Sequence, residues 1–135
     1  MTNHEIRIKI AESLGWKRKW QNRGGAPLLN EKPEGHSWVV WFDPNGHSLD
    51  KAYDPIFPPD YLNDLNAMHE AEEILKQKRV FTSYLSAIAK TCGFKAHGSE
   101  AWFYLHAGLE AVASATAAQR AEAFLRTLNL WEDSK

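Results

Sequence analysis

The chain is nearly devoid of cysteine and has no long apolar run. One cysteine, Cys92, among 135 residues excludes an internal disulfide, a C-x-x-C redox pair and a zinc ribbon. Cys92 falls in an apolar helical stretch, where a free thiol is expected to be a buried structural residue rather than a nucleophile. The longest apolar run covers a few residues and no charged-then-apolar leader opens the chain. No membrane span or secretory signal is therefore expected, and the cytoplasm is the expected location. An excess of charge is missing too. At a formal net charge of −1, no whole-molecule field draws the protein to nucleic acid or an anionic membrane, so any such attraction has to come from a local patch. No glycine-rich phosphate loop precedes a helix, and no serine, histidine and acid form a nucleophile elbow. An enzyme is not expected, and nothing calls for a cofactor or a metal.

What is present fits one globular domain spanning 1–135, with 44% hydrophobic and 24% charged residues near the averages of folded proteins. Thr2 and Glu5 form a capping box, and Ile6, Ile10 and Leu14 then recur on one helical face until Gly15. Gly15 can take the left-handed conformation of a helix C-terminus, with Trp16 folding back on the last turn. From Trp16 to Asp43, glycines and prolines punctuate short runs rich in tryptophan, valine and phenylalanine, which predicts a small antiparallel sheet. Its clearest strand is Ser37 to Phe42, whose continuous apolarity predicts burial on both faces, and Pro44-Asn45-Gly46 is the turn that stops it. His47 to Asp60 reads as an extended loop.

Asn63 is the expected cap of a second helix, with Leu65, Met68, Ala71, Ile74 and Leu75 as its apolar stripe and Glu72 paired to Lys76. Val80 to Cys92 reads as a third helix closed by Gly93. Trp102-Phe103-Tyr104-Leu105 is either a strand or the start of a helix running to about Ser114, and the alanines that follow favour helix. Thr116 and Gln119 make another capping box before Ala117, Ala121, Phe124, Leu125 and Leu128, with Glu122 and Arg126 paired on the opposite face. The expected class is α+β: a small antiparallel sheet flanked by helices, α/β/α sandwich-like.

Three segments carry a family resemblance: Ile10-Ala11-Glu12-Ser13-Leu14-Gly15-Trp16, then Pro59 to Glu72 (PDYLNDLNAMHEAE), then Ala115 to Leu128 (ATAAQRAEAFLRTL). Together they resemble the small tailed-phage proteins of the phage ABA sandwich domain family, in which helices cover a sheet. The resemblance implies an accessory protein of a phage or prophage, acting in the cytoplasm of an infected bacterial host. It carries over no reaction and no catalytic residues. The segments outside it, Lys17 to Ile56 and Lys90 to Ala113, are where specificity is expected.

Several clusters invite chemistry. His69 and Glu73 lie four apart on a helix but lack the second histidine of a zinc pattern, so a solvated face is the preferred reading. Asp43-Pro44-Asn45-Gly46-His47 spaces oxygen ligands alternately but lacks the later residues of a calcium loop, and a turn explains it. Trp16-Lys17-Arg18-Lys19-Trp20, followed by Arg23, is the one basic and aromatic cluster. As a strand it places Trp16, Arg18 and Trp20 on one side and Lys17 and Lys19 on the other. Such a surface holds phosphates through its cations and stacks bases on its indoles; the competing reading is an edge strand whose tryptophans are core. Tyr61, Trp38, Trp41 and Trp102 can line a pocket, and His36 and His47 flank the clearest strand, although core packing is the preferred reading for that strand's tryptophans.

The candidate ligand-binding residues are thus Trp16, Arg18, Lys19, Trp20, Arg23, His36, Trp41, Tyr61 and Trp102. The leading expectation is a non-enzymatic phage accessory protein that counters host defence, either by sequestering a nucleotide-like small molecule or by blocking a host defence protein. The alternatives are a nucleic-acid-binding protein using Trp16 to Arg23, and a small nucleotide hydrolase. A homo-oligomer is compatible with each.

Overall fold

The computed structural model describes residues 1–22, 28–93 and 114–133. Its elements, in chain order, are α1 (Asn3–Ser13), β1 (Lys17–Asn22), β2 (Ser37–Phe42), α2 (Leu65–Gln77), α3 (Phe81–Thr91) and α4 (Ala117–Thr127). Among the described residues this is an α+β chain with four helices and one two-stranded antiparallel sheet, the class expected from the sequence. The chain gathers into two compact units, one of Met1–Ile10 with Pro59–Lys135 and one of Ala11–Pro58. The expected element at Trp102 to Leu105 lies outside the described residues.

The helical unit begins and ends on the two capping boxes anticipated above. Thr2 N–H donates to Glu5 Oε2 at 2.7 Å while Glu5 N–H donates to Thr2 Oγ1 at 3.2 Å. Thr116 and Gln119 repeat the exchange at 2.9 and 3.1 Å. Each box satisfies backbone donors that the first turn of a helix leaves without partners. The cap of α2 is Asp64 rather than Asn63: its carboxylate accepts from the N–H groups of Asn66 and Ala67 at 3.0 and 3.2 Å. Asn63 turns its amide to Asp60 Oδ2 instead, at 2.9 Å. A carboxylate at a helix N-terminus also meets the positive end of the dipole, which an amide does not.

Met68, Ala71 and Leu75 of α2, Tyr84, Leu85, Ile88 and Ala89 of α3, and Ala121, Phe124 and Leu125 of α4 are buried. Helix α4 packs against both α2 and α3. The stripe of α2 is rotated from the expected one: Leu65 at its start is exposed, while Glu72 is buried. Glu72 therefore does not pair with Lys76, which reaches Glu73 at 3.1 Å. Glu72 Oε1 instead accepts from Arg120 Nη1 of α4 at 2.9 Å, with side chains only 7% and 3% exposed. Arg120 Nε also donates to the Ala115 carbonyl at 3.3 Å. The Tyr84 hydroxyl is buried beside this pair without a hydrogen bond of good geometry. Burial first, and then the charge of Glu72, push its phenol pKa above the ordinary tyrosine value.

At the chain termini, Lys9 Nζ donates to the Leu130 carbonyl at 3.1 Å and to Glu132 Oε1 at 2.9 Å. Arg7 Nη2 donates to Asp60 Oδ2 at 3.2 Å, and Arg7 Nε lies 2.8 Å from Oδ1 off the donor axis. Hydrogen bonding from Asn63, and the charge of Arg7, hold the Asp60 pKa below the usual aspartate value.

In the second unit β1 and β2 pair antiparallel, with Lys17 opposite Phe42, Arg18 opposite Trp41 and Trp20 opposite Val39. Trp20 also exchanges backbone hydrogen bonds with Leu29, at 2.9 and 2.8 Å. The turn after β2 is closed by Asp43, whose Oδ1 accepts from Asn45 N–H at 3.0 Å and His47 N–H at 2.8 Å. The stretch expected to be an extended loop holds a second turn of the same kind: Asp50 Oδ1 accepts from the N–H groups of Ala52 and Asp54, beneath a Leu49–Pro55 bridge. The expected burial of β2 on both faces is not found. Trp38 is 50% and Val39 38% exposed, and as neighbours on a strand they point to opposite faces. Among the described residues no helix is long and apolar enough to cross a membrane.

Two outcomes test this architecture. Arg120→Ala or Glu72→Ala strands a buried charge and is expected to cost about 3–5 kcal/mol in chemical denaturation, whereas Glu72→Leu with Arg120→Met recovers most of that loss. For Asp60, a lowered folded-state pKa means its contribution is full above the unfolded value and is lost as pH falls through the folded one. Asp60→Asn should therefore destabilise the protein near neutral pH and converge on the wild type in strong acid, seen as a shallower acid limb in a melting-temperature profile.

Candidate functional site

The reversal at Gly15 sets up the site. Gly15 has φ +100°, and a Cβ there would lie 3.3 Å from Pro44 Cβ, so both the backbone and the space favour glycine. The turn brings Trp16 N–H to the Ala11 carbonyl at 3.0 Å and starts β1 with Trp16 immediately before it. The alternation of β1 then separates the side chains as the sequence suggested.

One face carries Trp16, Arg18, Trp20 and, across the register, Trp41. The Trp16 and Trp41 rings meet edge-on, with centroids 6.5 Å apart and planes at 78°. The Arg18 guanidinium stands 5.2 Å from the Trp20 ring centroid, a cation–π contact. All four side chains are half-buried, neither sealed in a core nor loose in solvent. Beside them opens a cleft of about 430 Å³ lined by Glu12, Trp16, Lys17, Arg18, Lys19, Trp20 and Asn30. Three cations and one carboxylate are among its lining residues, but of the cations only Arg18 shares the indole face; Lys17 and Lys19 alternate to the other, where the Lys19 ammonium lies over Phe42. Glu12 Oε1 is 3.7 Å from Arg18 Nη2, an exposed contact of the kind worth about 0–1 kcal/mol, which an anionic ligand can displace.

The other face carries Lys19 and Phe42, with the ammonium 5.7 Å from the ring centroid, together with Trp38, Val40 and Gln21. Of the remaining sequence candidates, His36 is exposed immediately before β2. Tyr61 is 2% exposed, in the core of the helical unit, so its ring is not offered to a ligand. Arg23 and Trp102 lie outside the described residues. The tryptophans of β2 are not core: Trp41 is half-buried and Trp38 exposed. Glu12 and Asn30 were missed. Nothing in a helical Glu12 signals the cleft until the Gly15 turn folds β1 back towards it.

A larger groove, about 730 Å³, runs beside α3 and α4 and is lined by residues including Ser83, Lys90, Glu122, Arg126 and Asn129. Its chemistry is weaker despite its size. Arg126 is already engaged by Glu122 at 3.6 Å and Asp133 at 3.3 Å, and no aromatic side chain is among the described lining residues. His69 Nδ1 is 4.0 Å from Glu72, and among the described residues no three His, Cys, Asp or Glu side chains gather as a metal site requires. Cys92, half-buried at the end of α3, has its thiol pKa raised by desolvation, which favours the unreactive thiol. No family model, curated protein or solved structure matches the chain.

Proposed function

We propose that the protein acts by binding, and that its ligand is a planar, anionic small molecule of the nucleotide class held on the indole and guanidinium face. The observation that carries this reading is the conjunction on one strand face of Trp16, Trp20 and Trp41 with Arg18, beside a cleft that Lys17 and Lys19 also line. Indoles take the flat face of a base, with each stack worth roughly 1–3 kcal/mol, and the cations take the phosphate. In the setting the family resemblance implies, such binding sequesters a nucleotide-derived defence signal in the cytoplasm of an infected bacterium. Lys17, Arg18 and Lys19 are consecutive on a strand, the first exposed and the other two half-buried, which favours single-stranded nucleic acid as the second reading.

Titration of the full chain with mono- and cyclic dinucleotides, followed by tryptophan emission, tests the proposal. At least one nucleotide is expected to saturate the signal. Trp20→Ala and Arg18→Ala should each weaken it about 5- to 150-fold, while Tyr53→Ala, at an exposed aromatic away from the cleft, should not. Binding confined to oligonucleotides, falling linearly and steeply in log affinity against log salt, replaces this reading with the second one. Absence of both kinds of binding refutes both.

A further inference from the structure

We propose that the groove beside the outer edge of β2 is a second ligand site, which takes an uncharged planar heterocycle bearing an N–H donor next to an acceptor. The register fixes what the edge offers. Trp20 exchanges both of its backbone hydrogen bonds with Leu29, on the side away from β2. Trp20 and Val39 are therefore a non-hydrogen-bonded pair, as are Arg18 and Trp41 two residues along. The N–H and C=O groups of Val39 and Trp41 consequently leave the sheet at the edge opposite β1. Among the described residues these four groups have no hydrogen-bond partner. Next along the same edge, the Asp43 N–H donates to the His47 carbonyl at 2.8 Å, which closes the edge to a further strand.

The chain itself walls this edge. A groove of about 410 Å³ is lined from β2 by Trp38, Val39 and Trp41 among others, and from the segment Ser48 to Phe57 by Leu49, Ile56 and Phe57. That segment satisfies its polar groups internally: Asp50 N–H donates to the Asp54 carbonyl at 2.9 Å, and Ile56 N–H to the Ser48 carbonyl at 3.2 Å. It supplies an apolar wall without competing for the groups of Val39 and Trp41. The volume falls within the roughly 300–1,000 Å³ of small-molecule sites.

The lining selects the ligand. No charged side chain is among the described lining residues, so an anion finds no counter-charge there, unlike in the cleft beside Arg18. Trp38, Leu49 and Phe57 are exposed, and a flat ring laid against them removes apolar surface from water. A purely apolar ring, however, would strip water from the edge groups and leave them unpaired. The N–H and C=O of one extended residue leave the strand on the same side, so a lactam or amino-heterocycle edge meets both at once.

Titration of the ¹⁵N-labelled full chain with the bicyclic lactams 2-quinolinone and quinazolin-4-one tests the proposal. At least one lactam is expected to give saturable shifts of the Val39 and Trp41 backbone amides. Its N-methyl analogue, which keeps the ring and loses the donor, should bind about fivefold more weakly or worse. Phe57→Ala, at an exposed wall position, should weaken the lactam at least fivefold and leave the nucleotide titration unchanged, which separates this site from the indole face. No saturable shift from either lactam up to its solubility overturns the proposal. So does an N-methyl analogue that binds as tightly as its parent, or undiminished affinity in the Phe57 variant.

Discussion

The buried pair of Glu72 and Arg120 is the constraint around which the helical unit is arranged. Its two charges come from helices 48 residues apart in sequence and meet at 2.9 Å with almost no solvent. Two ions withdrawn from water cost several kcal/mol unless each finds the other in good geometry, so the pair admits one relative placement of α2 and α4 far better than its neighbours. Tyr84 of α3 is buried against the same pair, which brings the third helix under the same condition. The apolar stripes supply most of the burial energy. They tolerate sliding, whereas a hydrogen bond between buried ions does not.

The two units divide the labour of the chain. Of the buried apolar side chains among the described residues, all but Ala11 belong to the helical unit. Of the large apolar side chains that are exposed among the described residues, all but Leu65 belong to the other, including Trp38, Tyr53 and Phe57. A unit that leaves its aromatics half in solvent forgoes their transfer energy, and the proposed ligand binding would make use of such a surface. On β1 and β2 the side chains are sorted by face: indoles and a guanidinium on one side, and a mostly apolar surface bordered by lysine on the other.

The features legible in the sequence were those with local causes. The capping boxes at Thr2 and Thr116, the turn at Asp43, the left-handed Gly15 and the alternation of Trp16, Arg18 and Trp20 each depend on residues within a few positions of one another, and each is found as expected. What escaped depends on distant partners. Glu72 has the local signature of a surface residue ready for Lys76, and only Arg120, far along the chain, turns it inward. The apolarity of Ser37 to Phe42 reads equally as a core strand or as an exposed one, because local pattern does not say how many strands flank it. Residue type alone groups Tyr61 with the indoles, and its burial in the other unit separates it from them.

The central claim is that Trp16, Trp20 and Trp41 form the ligand face. The indole N–H resonances of a ¹⁵N-labelled sample report on each assigned tryptophan separately and in one spectrum. On addition of a nucleotide, the account predicts that the signals of Trp16, Trp20 and Trp41 move together and saturate at one concentration, while that of Trp131, whose Nε1 donates to Asp133 at 3.1 Å, stays in place. A saturable nucleotide titration that leaves the first three unmoved would contradict it.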